Sequence, residues 1–230
     1  MGGAAGAVLE EYHARYLNYL RELGRSDPAR AREVARLKYD LFLSDPASAR
    51  PGGVYFCGLK PYGAPRRSYD FPAPPPPGYL AYRDGGAPAT FSARARHVIR
   101  LALDATLGPA TPPEAALCTN WYFQRAADTA QLRRFGLDRL DASDLHRRLL
   151  GEYRPRLILC VGNGPVSAYA GMLALFATET TTNEVYAGTA RLKRAAPPGG
   201  PLIVGLPHLS RYGVGPVKTP LIKAVLTTDK

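Results

Sequence analysis

Four short apolar runs, each closed by a turn and set apart by helix-patterned stretches, constrain this chain more than any other feature. They read VYFCG (54–58), AALCTN (115–120), RLILCVGN (156–163) and PLIVGLPH (201–208). Each is too short for a stable helix and is bounded by Gly, Pro or Asn, which predicts strands. None alternates polar with apolar, so both faces must be covered. That is the pattern of a parallel sheet beneath helices. Helical spacing fills the intervals: Val98, Ile99, Leu101, Leu103 and Leu107 within 91–107, then 141–152 behind an Asp or Ser cap, 165–177, and a last helix over 219–227. The alternation predicts a three-layer α/β/α sandwich around a short four-stranded parallel sheet.

Residues 1–50 read differently from 51–230, the α/β domain proper. Val8, Tyr12, Tyr16, Tyr19, Leu20 and Leu23 recur at helical spacing over 7–24, with Gly24 as the stop. Asp27-Pro28 supplies an N-cap and a first-turn proline. A second amphipathic helix follows through Val34, Leu37, Tyr39, Leu41 and Phe42 to about Leu43. This pair reads as an N-terminal helical extension. Residues 59–78, with the run FPAPPPPG, are too proline-rich for an interior element and read as a loop.

Composition narrows the function classes. The formal charge is +11 and the pI about 9.8. Such a balance favours a polyanionic partner through counterion release, although an arginine-rich composition from a biased genome would produce it too. Cys57, Cys118 and Cys160 lie inside apolar runs without CxxC spacing, so neither a disulfide framework nor a cysteine metal site is expected. The opening MGGAAGAVL lacks a basic start and reaches Glu10 and Glu11 at once, unlike a signal peptide. Gly6 stands where a myristoylation pattern needs Ser or Thr. No apolar run nears the ~18 residues of a membrane span. The expectation is a cytoplasmic monomer with no membrane partner.

In parallel sheets the ligand sits beyond the carboxyl ends of the strands. The turns found there read GLKPYGAP, TNWYFQR, GNGP and LPHLSRYG. In that order they resemble the uracil-DNA glycosylase superfamily over about 54–225. GLKPYG is similar to the water-activating turn GQDPYH of the best-known branch. LCTNWYF looks like the strand that delivers an asparagine to the base, RLILCVGNGP like the third strand and its turn, and LPHLSRYG like the HPSPLS-type motif.

The resemblance implies an enzyme that flips a nucleotide out of DNA and hydrolyses its N-glycosidic bond, without a cofactor and without the iron–sulfur cluster of the four-cysteine branch. It implies that His208 stabilises the departing base as an anion. It implies that Asn120 reads the base edge, since an amide can pair with a ring N–H and a carbonyl. Tyr62 would close the pocket against a C5 substituent, with Gly58 and Leu59 shaping it, and Phe71 is a candidate ring to stack on the base. Arg211 and Tyr212 would enter the DNA beside Ser210, with Tyr212 at the wedge position; Asn163 would also contact the DNA. Base–aromatic stacking is worth ~1–3 kcal/mol, which suits an aromatic wedge.

Lys60 departs from the pattern, standing where the best-known branch has its water-activating aspartate. Four explanations stay open. His208 and substrate positioning suffice without an acid; or Asp70 reaches in instead; or Lys60 itself stabilises an anion or, with a lowered pKa, attacks the sugar; or the chain binds DNA without cutting it. The expected activity is monofunctional excision of uracil or a related altered base. The alternatives are a defence glycosylase acting on a bulky modified base of foreign DNA, and an inactive DNA-binding or protein-docking module. GNGP is too little for a dinucleotide site. The four histidines (His13, His97, His146, His208) form no HExxH, and GPVSAYAG is not a nucleophile elbow.

Overall fold

The computed structural model describes residues 3–61, 73–84, 89–176, 182–187, 190–215 and 218–227. Its centre is a six-stranded sheet of β1 (Val54–Gly58), β2 (Leu117–Asn120), β3 (Leu157–Val161), β4 (Thr182–Ala187), β5 (Ala190–Ala195) and β6 (Leu202–Leu206). The order across the sheet is β2-β1-β3-β6-β5-β4. The first four are parallel and coincide with the four apolar runs. Every residue of those four strands is buried, so neither face could have carried a polar alternation.

The sheet has six strands, not four. β4 and β5 pair antiparallel, and β5 continues antiparallel along the free edge of β6. Their sequences, TNEVYA and ARLKRA, carry too few apolar residues to announce buried strands. Their ladder is set by β6, whose edge needs hydrogen-bond partners. Lys193, Arg194 and Ala195 face Gly205, Val204 and Ile203 in register.

Among the described residues seven α-helices flank the sheet: α1 (Ala4–Ser26), α2 (Pro28–Leu37), α3 (Ala89–Thr106), α4 (Thr129–Arg134), α5 (Ser143–Tyr153), α6 (Ala168–Leu175) and α7 (Thr219–Leu226). Alternate strand residues point to opposite layers. Tyr55, Cys57, Leu117, Ile158 and Cys160 join the core that α1, α2, α5 and α6 also enter. Val54, Phe56, Cys118, Leu159 and Val204 join the core built with α3 and α7. The tyrosine stripe of α1 is packing: the Tyr12 ring meets Tyr39 and Phe123 edge-on at 5.0 and 4.8 Å.

The second helix ends at Leu37, six residues before its expected end. Asp27 caps its start by accepting from Arg30 N–H, and Lys38 ends it with a left-handed φ of 56°. After Lys38 the chain bridges antiparallel to β2 and the turn after it, Tyr39 with Gln124 and Phe42 with Thr119. Asp40 N–H donates to the Phe123 carbonyl, Arg125 N–H to Lys38, and Leu43 N–H to Cys118. The Thr119 hydroxyl donates to the Leu41 carbonyl. Unpaired backbone on the β2 edge thus captures a segment whose apolar content alone would have continued a helix.

Among the described residues no helix is long and apolar enough to cross a membrane. All three thiols are free and buried.

Candidate functional site

The ends of β1 and β2 are tied together beyond their ladder. Trp121 N–H donates to the Gly58 carbonyl and Tyr122 N–H to Leu59, both at 2.8 Å. Trp121 is itself wedged. Its indole stacks on the His146 ring at 5.0 Å with planes 3° apart, and a Cβ on Gly171 would lie 2.4 Å from it. His146 is held in one neutral tautomer. The Trp121 carbonyl can only accept, so Nε2 donates to it at 3.2 Å, and Nδ1 accepts from the Tyr55 hydroxyl at 2.8 Å. Burial pushes this imidazole down to about 4.

These ties place Gly58 and Asn120 side by side, as register partners. Asn120 is 3% exposed, and its Nδ2 has no partner. A buried amide donor without an acceptor costs roughly 1–3 kcal/mol, which marks a position prepared for something else. Both residues line a cavity of about 460 Å³ at the carboxyl ends of the parallel strands. Leu59, Lys60, Pro61, Val161, His208 and Ser210 join them there. Three rings build one wall: Tyr82 lies 5.8 Å from Phe91, and Phe91 5.6 Å from His208.

His208 sits at the mouth. Ser210 backbone N–H, which can only donate, points at its Nδ1 at 3.3 Å, and Ser210 Oγ lies 2.7 Å from the same nitrogen. Nδ1 is therefore the acceptor, and the neutral ring carries its proton on Nε2. Partial burial, followed by the nearby charges of Arg211 and Lys60, lowers its pKa below the ordinary histidine value. The loop that holds it is braced from α3, where Arg94 Nη1 donates to the carbonyls of Leu209 (2.6 Å) and Ser210 (3.1 Å).

Lys60 lies at the cavity edge with its ammonium turned to backbone. Nζ donates to the carbonyls of Ala126 at 2.6 Å and Ala127 at 3.1 Å. Burial lowers its pKa, and Asp128 acts against that shift. The lysine fastens the turn after β1 to the segment after β2.

The sequence expectations fare unevenly. Gly58, Leu59, Lys60, Asn120, His208 and Ser210 meet at one cavity. Arg211 is exposed on the loop beside it. Tyr212 is not presented as a wedge: it is 5% exposed, packed into the α3–α7 core, with Lys218 Nζ 4.2 Å above its ring. Its hydrophobic ring is taken up by the core because the turn beginning at His208 folds it inward. Asn163, expected to contact DNA, turns its amide to backbone instead. Its Nδ2 donates to the carbonyls of Arg191 (2.6 Å) and Gly205 (3.2 Å), pinning the turn after β3 to β5 and β6. Tyr62, Asp70 and Phe71 lie outside the described residues.

Sequence reasoning missed Phe91, Tyr82, Leu43 and Arg125 as lining residues. The arginine of TNWYFQR was the one available signal, a charge at a strand-end turn. It pairs with Asp40, their side chains 5% and 2% exposed. Among the described residues no group of three or more His, Cys, Asp or Glu could hold a metal ion.

No protein-family model, curated protein or solved structure matches this chain.

Proposed function

We propose that this protein is a monofunctional DNA glycosylase that takes a flipped-out uracil, or a related altered base, into the cavity at the ends of β1, β2 and β6. One observation carries the reading. A buried amide without a partner, Asn120 Nδ2, and a histidine whose proton stands on Nε2, His208, line the same cavity. Breaking an N-glycosidic bond needs a donor that strengthens its hold as negative charge grows on the base. A neutral His208 is such a donor, and Asn120 would hold the base edge. Gly58 keeps the floor open for it. Phe91 and Tyr82 offer flat apolar surface for a ring. The resemblance of the four strand-end turns to the uracil-DNA glycosylase superfamily supports the same assignment.

Lys60 in this reading is a strut. An ammonium that donates to two carbonyls cannot accept the proton of a water, and it is not poised to attack a sugar. DNA would be held through its phosphates by the basic surface, Arg211 included.

A second reading has its own observation. Among the described residues lining the cavity none is Asp or Glu, so none can serve as a carboxylate base. A module that holds a flipped base or an abasic site without cutting would need none. Single-turnover base release from a uracil-containing oligonucleotide, single- and double-stranded, separates the two. The glycosylase reading expects alkali-sensitive sites from the wild type and from Lys60→Ala, and their loss in His208→Ala. Tight binding with no base release from uracil or other altered-base DNA would establish the binding module instead.

A further inference from the structure

A second, larger cavity lies at the amino ends of the parallel strands, the pole of the sheet opposite the first. Its volume is about 800 Å³, and it is lined by Leu157 and Leu202, the first residues of β3 and β6. Val161, the last residue of β3, lines the first cavity. About 13 Å of strand therefore separates the two.

Arg147, Arg154 and Arg156 line this second cavity, and no carboxylate is among its described lining residues. All three arginines are exposed. Among the described residues none of the three is in an ion pair. Arg154 Nε donates to the Gly151 carbonyl and Arg156 Nη1 to the Thr106 carbonyl, each at a long 3.4 Å. A guanidinium carries five donors, so most of each fork is left open.

Cations near helix carboxyl ends answer the helix dipole, and that accounts for these two bonds. It does not account for two backbone choices beside them. Arg147 and Arg154 are two helical turns apart and lie along one side of α5, with Gly151 between them. A glycine inside a helix destabilises it relative to alanine. A Cβ on Gly151 would meet nothing within 4 Å, so no neighbour in the chain requires its absence. Arg154 is the opposite case. It ends the helix with a φ of 41°, the left-handed conformation that glycine adopts at little cost. Strain kept at such a position points to a use for the side chain. Gly151 leaves room where a side chain would fit, Arg154 stands where a glycine would, and both face the same open cavity.

We propose that this cavity binds a small phosphate-bearing ligand, held by Arg147, Arg154 and Arg156 with its phosphate groups over Gly151. Three cations outside any ion pair suit the charge of a di- or triphosphate, and planar guanidinium forks bond phosphate oxygens two at a time. Leu150, Pro155, Leu175 and Leu226 give the cavity an apolar side, where a nucleoside attached to the phosphates would rest. The site is independent of whatever the first cavity takes.

The test is calorimetric titration of the full chain with ATP, GTP and inorganic pyrophosphate at low and high salt. One ligand per chain is expected, bound more weakly as salt rises because the three cations are exposed. Arg154→Gly should weaken binding about 10-fold or more, the worth of one charged hydrogen bond. It should also raise the melting temperature of the free chain, since it removes a left-handed arginine. Gly151→Ala should likewise give a more stable helix and a weaker ligand, pushed away by the new methyl. Neither loss of affinity could then be put down to a damaged fold. Arg32→Ala/Arg36→Ala removes two exposed charges from α2 and should leave affinity unchanged. Tighter binding of ATP and GTP than of pyrophosphate supports the proposal with a nucleoside on the apolar side; equal binding supports it with an inorganic polyphosphate. No binding, unchanged affinity in Arg154→Gly, or an equal loss in the α2 variant overturns it. So does a loss confined to duplex DNA, which would make these arginines part of a nucleic-acid interface.

Discussion

Gly58 and Asn120 occupy partner positions at the ends of neighbouring strands, and a Cβ on Gly58 would stand 2.4 Å from Asn120 Oδ1. No real Cβ contact is that short, so the asparagine holds its place only because position 58 has no side chain. Gly58→Ala is expected to push Asn120 out of position. Overpacking of this kind costs about 1–3 kcal/mol. The measurement is paired: thermal melting of the variant, and uracil binding or base release. A variant that melts within a few degrees of the wild type and binds uracil unchanged would show that Asn120 does not hold the ligand.

His146 makes stability depend on pH. Its pKa is about 4 in the fold against an ordinary 6.5. The neutral ring is what the fold binds, so its contribution is complete above 6.5 and is lost as pH falls toward 4. The gap corresponds to roughly 3 kcal/mol. Urea denaturation at pH 7.5, 6 and 4.5 should show the decline. His146→Gln should lower stability at pH 7.5 and flatten the slope below 6.5.

Asp40 and Arg125 should behave non-additively. Removing either alone leaves a buried uncompensated charge, which costs about 3–5 kcal/mol. The double replacement by Leu and Met should return most of that loss. A double-mutant cycle on chemical denaturation reads the coupling directly, and additive losses would mean that the two charges are not partners in solution.

Lys60→Met should loosen the segment after β2 and, if the chain is a glycosylase, leave base release in place. It leaves the Ala126 and Ala127 carbonyls without their ammonium donor, a loss of about 1–3 kcal/mol. Amide exchange over 121–128 should quicken. Borohydride should trap no covalent adduct between wild-type protein and DNA. A trapped adduct that Lys60→Met abolishes would make the lysine a nucleophile after all.

Arg211 is the exposed cation nearest the pocket histidine in sequence, and if DNA is the partner its binding must weaken with salt. Arg211→Ala should reduce the slope of log affinity against log salt by about 1 for duplex DNA. A slope near zero in the wild type would exclude an electrostatic DNA interface.

The sequence alone determined the four parallel strands and the turns where a ligand would sit. Runs such as Leu157–Val161 are apolar throughout, and only a strand covered on both faces has a use for that. It also determined that Gly58, Lys60, Asn120 and His208 stand at strand ends, because chain order and strand direction leave no other place. What it could not report were partnerships set by backbone groups far apart in the chain. Residues 38–43 look helical by composition and instead bridge to the β2 edge and the turn after it, which offer unpaired carbonyls and N–H groups. The strands β4 and β5 exist because the β6 edge needs a ladder. Tyr212 and Asn163, outward-facing by analogy, are turned inward by a core that takes the ring and by carbonyls that take the amide. The meeting of Asp40 with Arg125 in the pocket wall belongs to the tertiary structure for the same reason. Local periodicity encodes which face is buried, and only the folded chain decides which buried groups find one another.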